Sequence, residues 1–119
     1  MMISLETLKE KVIDALEDIK GRDIITYQVG HITSLFEYVI IATGDSSRQT
    51  KALARHLHDK MREIDINVIG IEGESEGEWV LVDLGSIVVH IMHPTAREYY
   101  NLEGLWEANL NTENHSVAA

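Results

Sequence analysis

The chain has 119 residues, no cysteine, and 20 acidic against 10 basic side chains, a formal charge of −10. That length holds one domain able to bury roughly two-thirds of its unfolded surface, and the missing thiols exclude disulfides and thiolate metal sites. A surface of this sign repels a phosphate backbone and favours a basic protein, so direct nucleic-acid binding is not expected.

The first stretch is acidic and amphipathic. It lacks the basic start and apolar run of a secretory signal and the acid-free, Arg-rich pattern of a transit peptide. Nothing approaches a membrane span, so a cytoplasmic protein is expected. Leu5, Leu8, Val12, Ala15, Leu16 and Ile19 recur at helical spacing after Ser4, a capping residue. Lys20-Gly21 closes this helix, predicted over about Leu5–Lys20, with Gly21 as the terminating glycine. Asp23–Val29 reads as a strand. Tyr38–Thr43, YVIIAT, is a short continuous apolar run and therefore an interior strand buried on both faces.

Ser46 and Gln49 are spaced as a capping box for a second helix over about Ser47–Ile64, with Leu53, Leu57, Met61 and Ile64 as its apolar stripe. Val68–Ile71 is a short third strand. Trp79–Met92 reads as a hairpin turning at Gly85-Ser86, a type II′ signature. The turn sets the register: Asp83 opposite Val88, Val82 opposite Val89, Leu81 opposite His90, Val80 opposite Ile91 and Trp79 opposite Met92. Val80, Val82, Leu84, Ile87, Val89 and Ile91 then share one aliphatic face, which is core. Trp79, Leu81, Asp83, Val88, His90 and Met92 share the other, a mixture suited to a partner-binding patch or to a face that a helix of the same chain covers. Pro94-Thr95 opens a third helix, with Thr95 and Glu98 spaced as a capping box and Tyr99, Leu102, Leu105 and Trp106 along it. The order is α-β-β-α-β-β-β-α, an α/β (α+β) domain over residues 1–108 with a mixed sheet of about five strands. A polar tail, 109–119, is expected to be disordered.

No catalytic set is visible. The hairpin offers Asp83 without a second carboxylate on its face, and Ser46 and Ser47 lack a nucleophile elbow. Gly44–Arg48, between a strand and a helix, has the elements of an anion site but not the lysine or the glycine spacing of a phosphate loop; a capped helix start explains it as well. Among the six histidines, His56 and His58 point apart on a helix and His90 and His93 lie on opposite faces of a strand, so no metal site is expected. No cofactor is implied.

Four blocks in order, TGDSSRQ (43–49), IEGE (71–74), WVLVDLGSIVVHIM (79–92) and REYYNLEGLW (97–106), resemble the ribosomal silencing factor family, also called RsfS, YbeB-like or Iojap-like. The resemblance spans about Leu5–Trp106. It implies a nucleotidyltransferase-like fold without catalytic carboxylates, and a non-enzymatic translation repressor. Such a factor binds the large ribosomal subunit through ribosomal protein L fourteen, blocks the small subunit when nutrients are scarce, and forms a homodimer when free. On this view Trp79, Leu81, Asp83, Val88, His90 and Met92 contact the partner, bordered by Arg97 and Tyr100. An enzyme using Gly44–Arg48, or a purely structural homodimer pairing through the Trp79 face, are the alternatives.

Overall fold

The computed structural model describes residues 3–110. Helix α1 (Leu5–Asp18) starts where the Ser4 hydroxyl accepts the Thr7 N–H at 3.1 Å. Its end is a two-bond cap: the Lys20 N–H reaches Glu17 O and the Gly21 N–H reaches Leu16 O. In that motif the residue before Gly21 takes the left-handed conformation, and Lys20 does so with φ 70°. The expected glycine is therefore one position late. It serves close approach instead, since a Cβ on Gly21 would lie 2.7 Å from Leu16 O. Because a non-glycine residue pays for a positive φ, Lys20→Gly should raise stability by about 0.5–1 kcal/mol in urea unfolding.

Five strands follow as one sheet in the order β1-β2-β5-β4-β3. They are β1 (Arg22–Gln28), β2 (Tyr38–Thr43), β3 (Gly70–Glu72), β4 (Trp79–Asp83) and β5 (Ile87–Met92). All neighbours are antiparallel except β2 and β5, which run parallel, so the sheet is mixed as expected. Strand β2 is buried along its whole length, in keeping with its unbroken apolar run. The third strand starts two residues later and ends one residue later than its sequence suggests.

The hairpin keeps the predicted register from Trp79↔Met92 to Asp83↔Val88. Gly85 at the turn has φ 89°, the conformation that a tight hairpin requires of its first turn residue. The Leu84 N–H closes the turn on Ile87 O at 2.9 Å.

Helix α2 (Ser47–Glu63) packs with α1 on one face of the sheet. The six aliphatic hairpin residues meet Leu8, Val12, Leu16, Leu53, Leu57 and Met61 there, and every one is buried. The capping box is half formed. Ser46 Oγ accepts the Gln49 N–H at 3.1 Å, but the Gln49 side chain turns away to donate to Ile19 O and ties the two helices together.

The third helix of the sequence reading is two helices, α3 (Pro94–Tyr100) and α4 (Leu102–Leu110). His93 caps α3 in place of Thr95, its Nδ1 accepting the Thr95 N–H at 3.3 Å. Asn101 breaks the run with φ 49°, ends α3 through its N–H to Arg97 O, and caps α4 as its Oδ1 accepts the Gly104 N–H at 3.3 Å. Gly104 allows this, since a Cβ there would meet the Asn101 side chain at 2.4 Å. The expected tail from 109 starts too early, because Leu110 is buried at the end of α4; the remainder lies outside the described residues.

Candidate partner-docking groove

The second sheet face is half covered. At one end Tyr27, Val29, Val39, Ile41, Met92, Ala96 and Leu110 form a small closed core under α3 and α4. Two polar ties hold α4 there. Buried Tyr27 donates its hydroxyl to Glu107 at 2.8 Å, and Arg97 bonds Glu103 at 2.7 Å while reaching Thr43 Oγ1 at 2.8 Å. Burial, with Glu107 next in effect, raises the Tyr27 pKa far above its ordinary value, so the phenol stays a donor.

At the other end the sheet is open. Leu81 and Val88 form the floor of a groove of about 620 Å³, with Asp83 and His90 beside them. One wall is Leu35 and Phe36 from the β1–β2 connection; another is Leu102, Leu105 and Trp106 of α4; Ile69 stands at the turn end. Phe36 and Trp106 meet edge to face with centroids 6.1 Å apart. Leu35 is 76% exposed, Ile69 61% and Leu105 55%. Large aliphatic groups held in water around an apolar floor mark an interaction surface.

The polar residues of this face are arranged rather than loose. Trp79 donates its indole N–H to His90 Nδ1 at 3.0 Å and lies against Tyr100 at 4.7 Å between centroids. Since indole only donates, His90 Nδ1 must be unprotonated and the ring proton sits on Nε2. Burial agrees, pushing the His90 pKa down to about 4. Asp83 accepts the Gly85 N–H at 2.8 Å and so braces the turn from within the groove.

A depressed histidine pKa has a defined pH signature. The stabilisation is present above about pH 6.5, where an unfolded imidazole is also neutral, and is lost as pH falls towards 4, where the folded ring protonates. Between about pH 7 and about pH 5 the protein should lose ~2 kcal/mol through this group. His90→Gln keeps an acceptor for the indole and should remove that part of the slope; an equally steep decline in the variant would contradict the assignment.

Of the site residues expected from sequence, Leu81, Asp83, Val88 and His90 line the groove, and Trp79 with Tyr100 flanks it. Two do not. Met92 is fully buried in the small core, and Arg97, its side chain 13% exposed, is spent on Glu103 and Thr43. Both lie outside the groove, because α3 folds back over that end of the sheet. Leu35, Phe36, Ile69 and Leu105 are additions. The adjacent Leu35-Phe36 in a loop was the signal that could have found the first two.

The Gly44–Arg48 turn packs closely on the helix it opens. Buried Thr50 donates to Gly77 O, and a Cβ on Gly44 would lie 2.9 Å from the Thr50 nitrogen. Asp45 pairs with Arg22 at 2.6 Å. The family model described as "Ribosomal silencing factor during starvation" matches residues 3–119. The chain belongs to the ribosomal silencing factor family. A curated "Ribosomal silencing factor RsfS" from Chromobacterium violaceum is 49% identical over 104 residues, 87% of this chain and 85% of that one. The RsfS of Bacillus subtilis is 42% identical over 92 residues, 77% of this chain and 78% of its own length. A crystal structure of a Chromobacterium violaceum protein superposes with TM-score 0.86 at 49% identity, covering 87% of each chain. The description of the silencing factors is regulatory rather than catalytic. In this member Thr50 and Gly77, which follow the first two sequence blocks, are joined by a hydrogen bond, and the last two blocks supply most of the groove lining.

Proposed function

We propose that the groove silences ribosomes by docking on the large subunit through ribosomal protein L fourteen, where the bound chain occupies space the small subunit needs. The apolar floor of Leu81 and Val88, ringed by exposed Leu35, Ile69 and Leu105, carries this reading. Stable specific interfaces bury about 800 Å² per partner, and a groove of this size with its rim supplies a central part of that. Occlusion needs no chemistry, so the protein acts without turnover. Its charge of −10 directs it to a basic ribosomal protein rather than to exposed RNA phosphates. It acts in the cytoplasm, repressing translation under nutrient limitation, and free in solution it pairs with a second copy. Among the described residues no helix is long and apolar enough to cross a membrane.

Sedimentation with purified subunits tests the reading. The chain should pellet with large subunits and not with small ones; failure to pellet with large subunits would end it.

A further inference from the structure

Beyond Trp79, on the side away from the groove, Tyr99 and Tyr100 stand at 90° to each other with centroids 5.0 Å apart. Tyr99 is 80% exposed and Tyr100 51%, although aromatic rings of this size normally find cover. With Glu78 and His93 they border a recess of about 290 Å³. His93 already uses Nδ1 as the cap of α3. Glu78 is exposed, and its carboxylate has no ion pair or side-chain hydrogen bond among the described residues.

The chemistry of this corner selects its occupant. An anion would meet a carboxylate and the negative faces of two rings. A neutral apolar group would cover Glu78 and leave its charge unpaired. A cation satisfies both features at once. Guanidinium suits them better than ammonium, because it is planar, stacks on an aromatic face and can bond a carboxylate through two N–H groups.

We propose that the Glu78–Tyr99–Tyr100 corner receives an arginine side chain of the partner that fills the groove, with the guanidinium on the Tyr99 ring and paired to Glu78. This rests on the docking reading above. Two observations join the sites: Tyr100 borders the recess and also lies against Trp79, whose indole bonds the groove residue His90, and the chain's charge of −10 favours a basic partner.

Large-subunit binding by wild type, Glu78→Gln and Tyr99→Leu tests it, across a series of salt concentrations. Both altered side chains are exposed, so unchanged melting curves should accompany the result. Each variant should raise Kd by about fivefold to tenfold, and Glu78→Gln should flatten the salt dependence. If wild type binds and both variants bind within twofold of it, the arginine corner is wrong while the docking reading stands. If wild type does not bind large subunits, docking fails, and the corner is judged alone by titrating capped arginine against the full chain by NMR. Saturable shifts of the Tyr99 and Tyr100 ring signals that disappear in Glu78→Gln support it; their absence overturns it.

Discussion

Trp79→Ala should unfold at clearly lower urea concentration than wild type, with about 3 kcal/mol of stability lost. The indole is half buried against the small core, packs at a tilt against Tyr100 and supplies the donor for His90 Nδ1. Truncation removes the packing and leaves a partly buried acceptor without its partner, two costs that add. Trp79→Phe keeps most of the ring contact and loses the hydrogen bond, so it should cost less than half as much. A loss below about 1 kcal/mol for Trp79→Ala would show that the indole is a free surface anchor with no structural role.

Leu105→Asp should do the opposite. Its side chain is more than half exposed on the groove wall, so the fold should change by no more than about 0.5 kcal/mol. Binding to the large subunit should weaken by about 2 kcal/mol, roughly thirtyfold in Kd, because a charge replaces an apolar contact in the desolvated centre of an interface. Leu35→Asp on the facing wall should behave alike. Titration of labelled protein with purified large subunits, beside urea unfolding, measures both quantities; unchanged affinity in both variants would move the docking surface elsewhere.

What was legible in the chain is what local chemistry decides. The Gly85-Ser86 turn imposes a register, and with period-two alternation that register assigns every hairpin residue to a face. Tyr38–Thr43 was readable for a similar reason, since five consecutive apolar residues and a threonine have no polar face to show to water. The break at Asn101 was harder. Asn tolerates the left-handed conformation, but it ends a helix here because Gly104 leaves room for its side chain to cap the next one. That joint return places α3 over Met92 and draws Arg97 inward to Glu103. Both residues were therefore expected at the partner face, while tertiary packing buries Met92 and ties Arg97 to Glu103 and Thr43. Lys20 shows the same limit at smaller scale: glycine marked the helix end, but the hydrogen-bond pattern put the left-handed residue one position earlier.

The subunit-joining reaction tests the central claim most directly. Wild-type protein added to separated subunits should lower the joined fraction on a sucrose gradient as it saturates the large subunit. Leu105→Asp should leave that fraction unchanged at the same concentration, and ribosomes joined beforehand should resist wild type because their docking face is already covered. Wild-type protein that saturates the large subunit yet leaves the joined fraction untouched would contradict silencing by occlusion.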